Sequence, residues 1–204
     1  MPQKNVRTQI VYATLIFLGF GALGAFVFRP PHQFTGILIE PVTIAPNFEL
    51  KTAGNKTLKL SEGLGKWVIL FFGYTNCPDV CPTTLAIFKQ VYEKLGDDKD
   101  QVDFVMIAVD PERDTPERLA KYVSFFESSF IGLSGDKDEL EQVWQAYGIT
   151  VIRQETSSAT GYSVSHTARS YLVDNTGNLF MTFPYGTSAE DITSDLLYLI
   201  SQGK

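Results

Sequence analysis

Cysteine is scarce in this chain, which has two among its 204 residues, Cys77 and Cys81. A loop closed between neighbours that near in sequence removes little entropy from the unfolded chain, so a disulfide between them would not hold a fold together. The prolines and the aspartate around the two residues also argue against side chains that merely fill an apolar face. The two thiols are therefore expected to have a chemical role.

The signatures of several common function classes are missing as well. The net charge is −6 at pH 7, and no basic stripe or arginine cluster breaks the acidic balance, which argues against a nucleic-acid partner. No internal repeat, glycine-rich phosphate loop or Gly-x-Ser-x-Gly elbow occurs. The overall composition, 44% hydrophobic and 20% charged, is that of an ordinary globular domain.

Acidic residues are absent from the first 28 positions, which contain a long apolar stretch instead. Residues 10–28 carry no charge, and nineteen residues form a helix of about 28 Å, which just spans the hydrocarbon core of a bilayer. Lys4 and Arg7 precede this stretch, so the positive-inside bias favours a cytoplasmic N-terminus at 1–9. We predict a transmembrane anchor at 10–28, with a cleaved signal peptide as the alternative.

The anchor determines the expected domain organisation and location. Prolines punctuate residues 29–45, which indicates a linker that lifts a domain off the membrane. We expect that domain to occupy residues 46–204 and to lie on the periplasmic side of a bacterial membrane, since the apolar stretch has too few arginines for a mitochondrial transit peptide.

The domain contains a strand–helix–strand pattern around the cysteines. An apolar run ending at Phe72 indicates a buried strand, residues 83–95 have apolar positions at helical spacing, and residues 102–109 form a second apolar run. Such a unit implies two parallel strands with a right-handed crossover. Cys77 and Asp110 would then lie at the carboxyl ends of neighbouring strands, where α/β sheets gather their active groups.

The two thiols lie between the end of the first strand and the start of the helix. Pro82 suits the first helical position, which would make Cys81 the cap residue. The amide-rich end of the helix favours thiolate over thiol. The pair is expected to be nucleophilic or ready to bind a soft metal.

The remaining elements follow from turn and cap signals. Thr115 is the expected cap of a helix whose first position is Pro116. Residues 154–165 are polar, without apolar periodicity, and indicate an exposed loop. The other predictions are a hairpin over 48–60, a short strand at 131–134, a helix at 136–147 with Trp144 in the core, a hairpin over 168–183 and a final helix ending at Ile200.

Three motifs together resemble one known family. They are Cys-Pro-Asp-Val-Cys-Pro directly after a strand, Asp-Pro-Glu-Arg-Asp-Thr-Pro beginning at Asp110, and His-Thr at His166. In this order they are similar to the Sco/SenC family of membrane-anchored, copper-binding assembly factors for cytochrome c oxidase. The resemblance implies a thioredoxin-like α/β fold with a β-hairpin extension, and one copper ion bound through Cys77, Cys81 and His166. Its expected position at a strand end near the thiols makes Asp110 a candidate for a supporting role beside these ligands or for a partner contact.

The resemblance also implies a partner and an activity. The partner would be the copper-site subunit of the oxidase, with other copper chaperones as further contacts. The protein would be a metallochaperone rather than an enzyme, or a thiol–disulfide reductant of the recipient's cysteines. The ion would be Cu(I) or Cu(II), and delivery and reduction would be two uses of one site.

Other uses of the same residues remain open. A general extracytoplasmic thiol–disulfide oxidoreductase would use the dithiol as a redox couple, although thioredoxins separate their cysteines by two residues and place a proline beside them, whereas no proline occurs here between Pro116 and Pro184. A thiol peroxidase is more distant, because Thr75 lies two residues before Cys77 rather than three. A zinc site with two cysteines, one histidine and an open position is the remaining alternative.

Overall fold

Buried strands form the centre of the fold, around which helices and two small hairpins pack. The computed structural model describes residues 31–63, 65–156 and 161–203. The strands are β1 (Ile37–Ile44), β2 (Glu49–Thr52), β3 (Lys56–Lys59), β4 (Trp67–Gly73), β5 (Val102–Ala108), β6 (Ile131–Leu133), β7 (Val151–Glu155), β8 (Tyr162–His166), β9 (Arg169–Val173) and β10 (Asn178–Pro184). The helices are α1 (Val80–Leu95), α2 (Pro116–Ser124), α3 (Lys137–Ala146) and α4 (Ala189–Ser201).

The main sheet has six strands in the order β1-β10-β9-β4-β5-β6. β4 and β5 are parallel, as are β5 and β6, whereas β9 runs antiparallel to β4 and to β10. Every residue of β4 is buried, which explains why it is a continuous apolar run rather than an alternating one. The predicted β4–α1–β5 unit and the mixed α/β class are confirmed.

Local signals predicted several helices and turns correctly. Thr115 caps α2 by accepting a hydrogen bond from the backbone N–H of Arg118, and Pro116 is the first helical residue. The indole N–H of Trp144 donates to the carbonyl of Ala108 at 2.9 Å, so Trp144 lies in the core as expected. β9 and β10 form the predicted hairpin around residues 174–178.

The start of α1 differs from the prediction. The helix begins at Val80 with Asp79 in the cap position, so Cys81 is the second helical residue and Pro82 the third. A proline is tolerated there because the first N–H groups of a helix have no acceptor within it. The consequence is that Cys81 belongs to the helix itself and only Cys77 lies in the loop.

The stretch predicted as an exposed loop, 154–165, contains most of a hairpin. β7 and β8 pair from Val151–His166 to Glu155–Tyr162, with residues 157–160 outside the described residues. In β8, Tyr162 and Val164 alternate with serines, but only Val164 is buried, so the alternation is too short and too weak to have identified the strand.

The predicted linker, 29–45, contains strand β1. β1 pairs antiparallel with β10, and its register shifts between Leu38 and Thr43. Pro41 falls within this irregular part, where its missing N–H removes no ladder hydrogen bond, so prolines did not mark the end of the domain. The compact unit that holds the sheet begins at Phe34 rather than at residue 46.

The membrane anchor predicted at 10–28 and the N-terminus at 1–9 lie outside the described residues. Within the part of the chain that the structure describes, no helix has both the length and the apolarity needed to cross a bilayer.

Candidate metal centre and dithiol

The two cysteines lie at the carboxyl end of β4, as predicted. Cys77 is half-buried in the loop, and Cys81 is fully buried in the first turn of α1. A Cβ atom at Gly73 would lie 3.0 Å from the sulfur of Cys81 and 2.8 Å from the methyl of Met106. Glycine at the end of β4 therefore leaves the space that the buried thiol occupies.

The pKa values of the two thiols are shifted in opposite directions because Cys81 donates a hydrogen bond to Cys77. This bond from Cys81 lowers the pKa of Cys77 to about 5, and the backbone N–H groups of Asp79 and Cys81 add to the effect. The same bond, together with burial, raises the pKa of Cys81. At neutral pH Cys77 is therefore a thiolate and Cys81 a thiol, whereas the sequence had suggested that both were partly ionised.

His166 lies beside the buried thiol. Its Nε2 is 3.8 Å from the sulfur of Cys81, and its Nδ1 is 3.0 Å from the carbonyl oxygen of Thr167. A carbonyl can only accept, so Nδ1 carries the proton and the lone pair of Nε2 is directed towards the thiols. Burial lowers the pKa of His166, which favours the neutral, ligating form.

Aromatic rings hold the imidazole in place. The rings of Phe71 and Tyr74 meet it edge to face, with centroids 6.3 Å and 6.1 Å away. Phe71 lies in β4 and Tyr74 directly follows it. The central strand therefore supports both the histidine and residues 75–79, the cysteine loop.

The donor atoms suit a soft metal, although the site is not closed. A metal about 2.3 Å from a sulfur and about 2.0 Å from an imidazole nitrogen, as in protein zinc sites, separates those two atoms by about 3.5–3.7 Å. Cys81 and His166 are already near that separation. Over residues 31–63, 65–156 and 161–203, however, no three His, Cys, Asp or Glu side chains are arranged to hold an ion together. The three proposed ligands therefore do not yet converge on one point.

Asp110 is near the site but contacts other residues. Its carboxylate accepts hydrogen bonds from the side chain of Arg113 and, at 2.8 Å, from the hydroxyl of Tyr162. It is buried, so these two contacts stabilise its charge. The structure thus connects Asp110 to the β7–β8 hairpin that carries His166.

Asp114 has a role that the sequence did not reveal. It is fully buried and accepts hydrogen bonds from the backbone N–H of Thr75, at 2.9 Å, and from its hydroxyl. Arg118 forms an ion pair with Asp114 and donates to Thr75 and Asn76. These contacts fix the start of the cysteine loop to the start of α2. An aspartate directly before a helix cap is a common sequence feature, so nothing in it pointed to this anchor.

Comparisons with known proteins identify the family. The profile of the SCO1/SenC family matches residues 38–201. A putative copper-binding protein of Stutzerimonas stutzeri is 37% identical over 148 residues, which are 72% of this chain and 72% of the relative.

Solved structures show the same fold. Apo Sco1 of Thermus thermophilus is similar with a TM-score of 0.75 and 33% identity, covering 84% of this chain and 99% of that one. Copper-bound ScoI of Bradyrhizobium japonicum has a TM-score of 0.70 and 36% identity, covering 76% and 99% of the two chains. The thioredoxin-like α/β fold predicted for residues after the N-terminal segment is confirmed.

Proposed function

Because the chain belongs to the SCO1/SenC family, we propose that it binds one copper ion through Cys77, Cys81 and His166. The ion would be cargo for the dinuclear copper site of cytochrome c oxidase, since members of the Sco family are cytochrome c oxidase assembly proteins. The observation that carries the proposal is the approach of His166 Nε2 to the sulfur of Cys81, with Nδ1 engaged by a carbonyl.

The donor chemistry supports copper over other metals. Thiolate sulfur is a soft ligand that selects Cu(I), and imidazole also suits copper. Zinc in a structural site takes four protein ligands, whereas the proposed set of two cysteines and one histidine supplies three. The Bradyrhizobium structure, similar over most of this chain, holds copper.

Each side chain has a distinct task in binding the ion. Cys77 is a thiolate at neutral pH and provides the first sulfur without losing a proton. Cys81 must release its proton, which makes binding dependent on pH. His166 provides a neutral nitrogen, since Nδ1–H remains bound to the carbonyl of Thr167.

The same dithiol also favours a second function, reduction of a disulfide in a partner. The Cys77 thiolate would attack one sulfur of that disulfide, form a mixed disulfide and release the other partner sulfur as a thiolate. Cys81 would then lose its proton, attack Cys77 and release the second partner thiol. The partner gains two electrons and Cys77–Cys81 becomes a disulfide. The opposite acidities of the two thiols support this division into attacking and resolving residues.

The proposed location is the extracytoplasmic side of a bacterial membrane, with residues 10–28 as the anchor. A tether would confine the domain near an integral membrane partner and raise their effective concentration. This arrangement suits delivery of copper and reduction of cysteines equally well.

The test is Cu(I) retention by the reduced protein against a competing chelator. We expect the parent to retain one equivalent and His166→Ala to lose it to the chelator, because the variant lacks the nitrogen ligand of the proposed three-ligand set. The same variant should still reduce a model disulfide, since both thiols remain. His32→Ala, a change at the other histidine of the chain, should behave like the parent.

Two results would count against the proposal. If the parent fails to retain copper, the dithiol acts as a redox couple and its reduction potential is the quantity to measure. If His166→Ala retains copper as well as the parent, the histidine is not a ligand.

A further inference from the structure

The hairpin that carries His166 is separate from the main sheet. Within the described residues, β7 and β8 pair with each other and with no further strand. Alternate residues of a strand face the same side, so Tyr162, Val164 and His166 of β8 share one face. The position of the imidazole therefore depends on how the hairpin is attached to the rest of the domain.

The base of the hairpin is held by two short connections. The backbone N–H of Thr167 donates to the carbonyl of Thr150 at 3.2 Å, and the backbone N–H of Thr150 donates to the hydroxyl of Thr167 at 3.1 Å. Both residues lie at the same end of the hairpin as His166. These contacts tie the two strands together only at the end of the hairpin nearest His166.

The other end of the hairpin contacts the rest of the domain through Tyr162. Its hydroxyl donates to Asp110, and its carbonyl accepts from Arg113 at 3.1 Å. Its ring lies between the guanidinium groups of Arg113 and Arg153, each 3.7 Å from the ring centroid. Arg153 in turn pairs with Glu112 at 2.6 Å. The turn after β5 thus holds the far end of β8 by hydrogen bonds and cation–π contacts.

A third contact joins the hairpin to the cysteine side of the site. The backbone N–H of Val164 is 3.5 Å from the hydroxyl of Tyr74, which lies between β4 and the cysteine loop. Since Val164 is midway between Tyr162 and His166, rotation of the hairpin would break this contact as well.

We infer that Tyr162 is a positioning residue: its contacts with Asp110 and Arg113 hold the β7–β8 hairpin over the cysteines and keep His166 within reach of the Cys81 sulfur. The inference rests on the proposed copper site and gives the Asp-Pro-Glu-Arg turn a defined part in it. Asp110 is only 4% exposed and is fixed by Arg113, so it is a rigid anchor for the tyrosine.

The experiment uses the full chain, reduced and free of metal, and removes one oxygen. Tyr162→Phe loses the hydrogen bond to Asp110 while its ring still fills the space between the two guanidiniums. We expect the Cu(I) dissociation constant to rise about tenfold, as for other residues that orient a metal ligand. The variant should still reduce a model disulfide, because both thiols remain.

A measurement without metal tests the attachment directly. Amide hydrogen exchange over residues 161–166 should be about tenfold faster in Tyr162→Phe, while exchange in the main sheet stays the same. Tyr92→Phe is the control. It removes the same atom from a residue of α1 that lies about 16 Å beyond Cys81 along the helix, and it should leave both measurements unchanged.

A double variant separates positioning from general damage. In a His166→Ala background, measured with a weaker competitor that the two remaining sulfurs can withstand, Tyr162→Phe should have no further effect on Cu(I) affinity, because the ligand it positions is gone. An equal loss in both backgrounds, or parent-like affinity and exchange in Tyr162→Phe, would overturn the inference. If the parent binds no copper, the proposed function fails, and the hydrogen exchange alone then decides whether Tyr162 holds the hairpin.

Discussion

Cys77 and Cys81 show how strongly the surroundings control one chemical group. Cys77 is half-exposed and its sulfur receives hydrogen bonds, so its anion is stabilised. Cys81 is buried and donates, so its neutral form is stabilised. The difference produces one nucleophile and one protected thiol from two residues four positions apart.

The alkylation rate of Cys77 should show this acidity. An ordinary thiol with a pKa of about 8.5 reacts faster as pH rises through 8. Because the pKa of Cys77 is lowered to about 5, its thiolate is fully formed above about pH 6 and is lost as pH falls through 5. The rate with iodoacetamide, followed by mass spectrometry, should therefore level off above pH 6, with modification confined to Cys77.

Cys81→Ala is the matched variant for this prediction. It removes the hydrogen bond that contributes most to the low pKa, so the midpoint of the profile should move to higher pH. A parent profile that still rises between pH 7 and 9 would show that Cys77 is an ordinary thiol.

At the scale of elements, the turn after β5 and the start of α2 organise the site from one side. Asp114 binds the first residue of the cysteine loop, and Asp110 with Arg113 binds the hairpin of His166. One short segment thus contacts both parts of the candidate site. The sequence of this segment indicated a helix start and a supporting role for Asp110, but not the contacts of Asp114.

Asp114→Ala should destabilise the fold measurably. The change leaves the N–H of Thr75 without its acceptor in a partly buried position, which costs about 1–3 kcal/mol. Urea unfolding followed by circular dichroism measures this loss. Asp100→Ala, at an exposed aspartate, should change the free energy of unfolding by less than about 0.5 kcal/mol. Equal stability of the two variants would mean that the loop does not depend on Asp114.

At the scale of the whole molecule, β1 is an edge strand of the main sheet and pairs with β10, which lies near the other end of the chain. It follows Phe34, whose ring meets Phe180 and Tyr198 edge to face, and the N–H groups of Thr35 and Gly36 donate to the buried Asp195. The start of the domain is thereby fastened to β10 and to α4.

A fragment that begins at Pro46, the predicted domain start, should be much less stable than one that begins at Gln33. Loss of Phe34 alone removes roughly 2 kcal/mol of apolar burial, and the edge of β10 loses its partner strand. We expect a difference of more than about 3 kcal/mol in urea unfolding, or aggregation of the shorter fragment. Similar midpoints for the two fragments would show that β1 is dispensable.

The sequence determined those features that depend on neighbouring residues. The continuous apolar run of β4, the helical spacing in α1 and the cap at Thr115 are local patterns, and each predicted its element. The cysteine pair was likewise identifiable as chemical rather than structural, because its spacing and flanking residues lie within one short segment.

Only the tertiary structure decided the rest, because it depends on contacts between distant segments. The sequence contains the polar hairpin of His166, but its attachment through Tyr162 and Asp110 joins residues 52 positions apart. β1 is a strand because β10 pairs with it, not because its own residues alternate. The acidities of the two thiols depend on which sulfur is buried and which one donates, and burial and hydrogen-bond direction exist only once the chain is folded.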